Sequence, residues 1–236
     1  MNKIGFIGSG PWGTVFLQDP SLFKNYVIDV IMVADSANGN HLKKMSHSVT
    51  ISFHSSKENY SVFEDKNLDT ILMAGWPYKV PANFINSISC PIVNIHASLL
   101  PKYRGPEPII QQLLHDETQG GVTLHKIDQN FDTGPICVQV SFNIEQDDDN
   151  RTLFFKAARA GKKAVGLFLE KLRMDRLTFS RQDESEATYH PKLNILDFVI
   201  NEAASKADVL RISRAFYGQY PLVCNFQNQL FFLFEF

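Results

Sequence analysis

The chain has 236 residues, a formal net charge of −2, 44% hydrophobic and 20% charged residues, which is ordinary globular composition for a chain long enough to bury a core. Lys and Arg are scattered along it, which argues against a nucleic-acid partner, and no apolar run approaches the roughly 18 residues of a membrane span, which argues against a membrane protein. The three cysteines, Cys90, Cys137 and Cys224, are widely spaced among apolar residues; this disfavours a disulfide framework or a zinc site and favours a reducing, cytoplasmic setting.

The N-terminal stretch MNKIGFIGSGPWG has too short an apolar run for a secretion signal. KIGFIG instead reads as a buried strand, followed by a tight turn into a helix with Pro11 in its first turn, and NYVIDVIMVA reads as the next strand. Gly8, Gly10 and Gly13 match GxGxxG, with Asp29 and Asp35 in range of a ribose-binding acid. That pattern admits an NAD(P)-dependent oxidoreductase. The alternatives are that the glycines only tighten the turn, or that N–H groups at the helix start, with Ser9, hold the phosphate of another ligand.

His41, His47 and His54 follow in a polar stretch, at spacings that match no common metal site, and read as surface residues. DTILMAGW (69–76) is the next buried strand, and a short helix is expected between Pro81 and Cys90. Strand residues 92–95 open the stretch 90–135, which continues through a Pro/Gly/Arg loop, a short helix, another strand and an acidic turn. PICVQVSFNI (135–144) is a half-exposed strand. Asp149 or Asn150 then caps a long helix whose basic end carries Lys171, Arg173 and Arg176. The polar stretch RQDESEATYHPKLN divides a catalytic domain (1–182) from a C-terminal linker, helix and β-hairpin (183–236). The last strand is apolar on both faces, with Phe232, Phe234 and Phe236 on one and Phe231 and Leu233 on the other. Such a sticky edge is expected to be covered by a second copy of the chain, making a homodimer, unless the strand folds onto its own domain. The order of elements predicts an α/β fold, a Rossmann-like mostly parallel sheet with helices on both faces, plus the small C-terminal appendage.

Asn94 and His96 are two residues apart and so share a face at the carboxyl end of their strand, where ligands sit in open α/β sheets. Asp132, in a turn after another strand, is expected to reach the same crevice. An amide can donate to an oxygen that gains charge, an imidazole can move a proton near neutral pH, and a carboxylate can orient that imidazole. The set suits direct acyl transfer to an amine; no GxSxG elbow surrounds Ser98, which disfavours a serine hydrolase. Taken singly, each of the three residues also has a common structural use.

The string NIHASLLPKYRGPEP, followed by GGVTLHKIDQNFDTGPI, closely resembles the 10-formyltetrahydrofolate-dependent formyltransferase family, with its Asn-x-His, SLLPxxRG and GVTxHxxDxxxDTG segments. AGWPYKVP (74–81) is similar to that family's folate-side loop, and ATYHPK (187–192) to the segment after its catalytic domain. The resemblance implies a Rossmann-like fold that binds N10-formyltetrahydrofolate as co-substrate, with no NAD and no metal, and a catalytic triad of Asn94, His96 and Asp132. It further implies folate contacts at Met73, Gly75, Trp76, Tyr78, Val80, Asn130 and Phe131, and contacts to a phosphorylated or nucleotide-linked acceptor at Ser9, Gly10, Lys102, Tyr103, Arg104, Gly105 and Lys192.

Within the family, methionyl-tRNA formyltransferases carry a further C-terminal domain and a basic surface, and glycinamide ribonucleotide formyltransferases lack the ATYHPK extension and the Phe-rich hairpin. The chain therefore looks most like the nucleotide-sugar N-formyltransferases. The expected acceptor is a dTDP-linked amino-deoxysugar such as a 4-amino-4,6-dideoxyhexose, destined for surface polysaccharide such as the O-antigen of lipopolysaccharide. Glu107, Gln111 and Gln112 depart from the more usual apolar residues after the RG loop, and are expected either to touch the sugar or to face water. A non-catalytic folate- or nucleotide-binding module remains the alternative from another class.

Overall fold

The structure, a computed structural model, describes residues 2–33, 53–54 and 60–234. Asp35, His41, His47 and Phe236 lie outside the described residues, and only the backbone of His54 is described. A seven-stranded sheet is built from β1 (Asn2–Gly8), β2 (Tyr26–Val33), β3 (Phe53–His54), β4 (Thr70–Ala74), β5 (Ile92–His96), β6 (Gln119–Lys126) and β7 (Ile136–Asn143), in the order β3-β2-β1-β4-β5-β6-β7. Strands β3 to β5 along that order are parallel, whereas β6 and β7 are antiparallel to their neighbours. The sheet is thus mostly parallel, as the βα alternation predicts.

Strand alternation sends side chains to two cores. Ile4 and Phe6 of β1, Leu72 and Ala74 of β4, Val93 and Ile95 of β5, and Val122 and Leu124 of β6 share the first. The helix α1 (Gly10–Leu17) and the long helix α4 (Asn150–Arg173) cover it with Phe16, Ala157, Ala164 and Phe168. Ile7, Val30, Ile71, Met73 and Ile92 point the other way, against Tyr60, Phe63 and Phe84, the last from α2 (Ala82–Ser87). Each large apolar side chain buried in this way contributes roughly 1.5–3 kcal/mol. Asp149, rather than Asn150, caps α4: its carboxylate accepts from the Thr152 amide at 2.7 Å while Thr152 Oγ1 accepts from the Asp149 amide.

Close approach explains the glycines of the first turn. A Cβ on Gly13 would stand 3.0 Å from the Ala74 carbonyl oxygen and from Gly8, and Gly75, at φ +62°, would press on the Ser9 carbonyl at 2.5 Å. Asp29 sits midway along β2, at the irregularity where β2 shifts register and well short of Val33, the residue beside Gly8, and pairs with Lys3 and Lys66. It is not placed to hold a ribose at the glycine turn.

The helix α3 (Pro108–Leu114) and the C-terminal α5 (Lys206–Phe216) make a third core from Ile110, Leu113, Leu114, Ile212 and Phe216, closed by Leu153 of α4. A two-stranded hairpin, β8 (Leu222–Phe226) and β9 (Gln229–Leu233), follows it. Phe226 and all of Leu230 to Phe234 are exposed on this chain. Among the described residues, no helix is long and apolar enough to cross a membrane.

Candidate active site

On β5, Ile92 enters the second core, and the next two positions on that face are Asn94 and His96. Polar residues thus take over an apolar face just where β4 ends, since Met73 pairs with Asn94 one residue before β4 stops. Trp12 in α1 fixes the strand end by donating from Nε1 to the Ile95 carbonyl at 2.8 Å.

Asp132 arrives on the turn after a strand, as expected, but that strand runs antiparallel to β5. Because β6 is antiparallel, its end lies beside the start of β5, with the Ile127 amide 2.9 Å from the Ile92 carbonyl. The following turn folds back over Asn94, and Asp132 adopts a left-handed backbone at φ +57°. Its Oδ1 accepts from Asn94 Nδ2 at 3.3 Å and stands 3.6 Å from His96 Nδ1. Its Oδ2 accepts from the Gly105 amide at 2.8 Å. The three expected residues therefore meet.

A fourth polar side chain joins them that the sequence reading left without a role. His125 pairs directly with Asn94 across β5 and β6, is 1% exposed, and places Nε2 3.2 Å from Asn94 Nδ2 and 3.4 Å from Asp132 Oδ1. The alternation in VTLH, with Val122 and Leu124 in the first core, puts His125 on the site's face. Only the antiparallel pairing with β5, which the sequence does not announce, sets it opposite Asn94.

Tautomers follow from the partners. His96 Nε2 is 2.8 Å from the Tyr103 carbonyl, an acceptor, so it carries the proton and leaves a lone pair on Nδ1 facing Asp132. Burial holds the His96 imidazole below its ordinary value against the pull of Asp132, so it is neutral near pH 7. Burial also opposes the charge on Asp132, but the two imidazoles and the Gly105 amide outweigh it and hold the carboxyl well below the usual carboxylate range. The site thus combines a fixed anion, a neutral imidazole with a bare nitrogen and an amide donor. Such a group can take up a proton at Nδ1 and stabilise it at once. Asp132 accordingly faces the proton-accepting nitrogen, while the Tyr103 carbonyl orients the ring.

Around this centre, Met73 and Val80 are buried in the second core, and Trp76 donates to the Tyr60 hydroxyl at 2.9 Å. Gly75, Tyr78, Asn130 and Phe131 are exposed, and Lys79 Nζ stands 6.0 Å from the Phe131 ring centre, so the 75–80 and 128–132 loops meet beside the site. Among the described residues, no cluster of His, Cys, Asp and Glu could hold a metal ion.

The expected acceptor contacts divide. Ser9 and Gly10 lie at the start of α1, where the Ser9 amide is engaged by the Ala74 carbonyl at 3.2 Å and Pro11 has no N–H, so less backbone is offered to a phosphate than expected. Lys102 and Lys192 are exposed. Arg104, expected to meet a phosphate, is instead buried and paired with Glu184 at 2.7 Å. Tyr103 is buried too: its hydroxyl donates to Glu117 at 2.7 Å and its ring stacks on His190. Gly105 uses its amide on Asp132, and a Cβ there would collide with the His190 carbonyl. Tyr103, Arg104 and Gly105 thus hold the site together from behind, because residues 188–190 run alongside them: Arg104 donates to the Thr188 carbonyl and His190 to the Arg104 carbonyl, both at 2.9 Å. Gln112, 2% exposed, donates to the Ala97 and Pro108 carbonyls, and Gln111 is likewise buried. Glu107 accepts from the Leu193 amide at 3.1 Å and from the Tyr220 hydroxyl. Gln111 and Gln112 are thus held inside the protein instead of facing water, and Glu107 ties the loop to the C-terminal segment.

Comparison with known proteins agrees with this geometry. Residues 27–168 match the family model described as formyl transferase. A methionyl-tRNA formyltransferase of Kosmotoga olearia is 41% identical over 123 residues, which is 52% of this chain and 40% of that protein, so the chain spans well under two thirds of that relative. The N-formyltransferase of Helicobacter canadensis, solved in complex with folinic acid and dTDP-3-aminofucose, superposes with a TM-score of 0.77 at 22% identity, covering 97% of this chain and 85% of that one. A 4-N formyltransferase of Francisella tularensis superposes at 0.81 with 16% identity, covering 98% and 96%. At those identities the structures establish a shared fold, while the sequence match over more than half of the chain establishes kinship: the chain belongs to the formyl transferase family.

Proposed function

We propose that this protein transfers the formyl group of N10-formyltetrahydrofolate to the amino group of a nucleotide-linked amino-deoxysugar, with dTDP as the nucleotide and a 4-amino-4,6-dideoxyhexose as the model acceptor. The observation that carries the reading is the convergence of Asn94, His96 and Asp132 on one crevice of a formyl transferase fold. Support for the sugar comes from the fold likeness to the N-formyltransferase solved with folinic acid and dTDP-3-aminofucose, which extends over 97% of this chain. The formal charge of −2 also suits a small acceptor better than tRNA.

In this reading the donor supplies an activated formyl carbon. His96 accepts a proton from the amine on Nδ1 as the new C–N bond forms, and later passes it to N10 as the old C–N bond breaks. Asp132 holds that proton between the two groups. Asn94 turns one amide hydrogen from its long contact with Asp132 to the formyl oxygen as that oxygen gains charge. Met73 to Val80, with Asn130 and Phe131, form the folate side; Ser9, Gly10, Lys102 and Lys192 form the phosphate side. The products are an N-formylated sugar and tetrahydrofolate, made in the cytoplasm for surface polysaccharide. A panel of dTDP-linked 3-amino and 4-amino sugars, glycinamide ribonucleotide and methionyl-tRNA, scored by tetrahydrofolate release, tests this. Turnover with a sugar is expected; turnover with methionyl-tRNA alone refutes the acceptor.

A further inference from the structure

Gln182 lies outside the stretch that carries the three reacting side chains, yet it touches the turn that presents one of them. Its Nε2 donates to the carbonyls of Asp132 and Gly134, at 2.8 and 2.7 Å. Its Oε1 accepts from Arg104 Nε and Nη2, at 3.1 and 2.8 Å. Two donors and two acceptor lone pairs are all that a carboxamide has, and all four are engaged. Arg104 is held in turn by Glu184, whose Oε1 and Oε2 accept from Nη2 and Nη1 at 2.7 and 2.9 Å.

The turn needs such a clamp. An L-residue pays a steric penalty in the left-handed region, where Asp132 stands at φ +57°. Two residues on, Gly134 leaves so little room that a Cβ would collide with the Lys126 carbonyl. The same Arg104 loop reaches the turn a second time through the Gly105 amide on Asp132 Oδ2.

We propose that Gln182 is a positioning residue for formyl transfer: its carboxamide locks the Asp132 turn to the Arg104 loop and so sets where the Asp132 carboxylate stands relative to Asn94 and His96. This rests on the role given to Asp132 above. The segment after α4 is then part of the catalytic machinery, and not only a link to the C-terminal helix.

Two variants test it. Gln182→Glu keeps an acceptor for Arg104 but sets oxygen against two carbonyls, and Gln182→Ala removes the joint. Both are expected to lower kcat by roughly 10- to 100-fold, the scale of a small misplacement of a reacting group, with KM for donor and acceptor within about threefold. Carbon-13 NMR of the Asp132 carboxyl, assigned with Asp132→Asn, is expected to show it titrating at higher pH in both variants than in wild type. An unshifted carboxyl overturns the proposal, whether kcat falls or not, because a fall alone would then be a structural effect; a shifted carboxyl with wild-type kcat overturns it as well. If the wild type transfers no formyl group to any acceptor, the proposed function falls, and the carboxyl titration still decides whether Gln182 sets Asp132.

Discussion

Asp132→Asn isolates the charge at the centre of the site. The amide is isosteric, and its oxygen can still accept from the Gly105 amide now 2.8 Å from Oδ2. Its NH₂ would then face His96 Nδ1, donate to the lone pair that has to receive the proton, and favour the neutral ring. An imidazolium and a carboxylate 3.6 Å apart attract by about 4–5 kcal/mol at an effective dielectric constant of roughly 20. If half to nearly all of that is realised in the transition state, its loss lowers kcat by roughly 10² to 10³. Ground-state binding does not use the charge in this way, so KM for both substrates should change by less than about threefold. Steady-state rates of tetrahydrofolate release give kcat and KM, and folinic acid titrated against intrinsic fluorescence checks that the folate site survives. A variant within about fivefold of wild-type kcat would show that Nδ1 does not accept the proton against Asp132, and the mechanism would be wrong.

Asn94→Ala should lower kcat by roughly 10²-fold with little change in folate affinity, as removal of one donor to a charged oxygen does; a defect confined to binding contradicts that role. Acid sensitivity follows from His96 and Asp132. His96 is held below its ordinary 6.5, so the unfolded chain takes up the proton first and stability falls as pH drops below that value. The depressed Asp132 contributes above its ordinary 3.8, and that contribution is lost only as pH falls further, towards its folded value. The melting temperature should therefore decline between pH 7 and 5, with a shallower slope in His96→Asn; equal slopes refute the assignment. At the C-terminus, exposure of Phe231, Phe232 and Leu233 predicts a homodimer through the β8–β9 hairpin. Light scattering should give two chain masses, and one chain mass for Phe231→Asp combined with Leu233→Asp; a wild-type mass of one chain rules the dimer out.

Much of this was legible in the amino-acid order, because it depends on neighbours along the chain. Period-two alternation in 92–96 places Asn94 and His96 together, capping chemistry starts the long helix at Asp149 or Asn150, and the alternation of apolar segments with helices announces an α/β sheet. The glycines at 8, 10 and 13 were legible as a tight turn, but not as the packing of α1 on the end of β4. Charge misled at Arg104: a guanidinium in a Pro/Gly loop suggests an anion, and nothing local reveals that Glu184, eighty positions away, supplies one. His125 and Gln182 escaped for the same reason. His125 meets Asn94 only because β6 runs antiparallel to β5, and Gln182 meets Asp132 only because the chain returns past the Arg104 loop after leaving the sheet. Local sequence determined which residues could act and on which face of a strand they stand. The long-range pairings, set by how the chain minimises exposed apolar surface and unpaired backbone, decided which of them hold the reacting group and which serve only the fold.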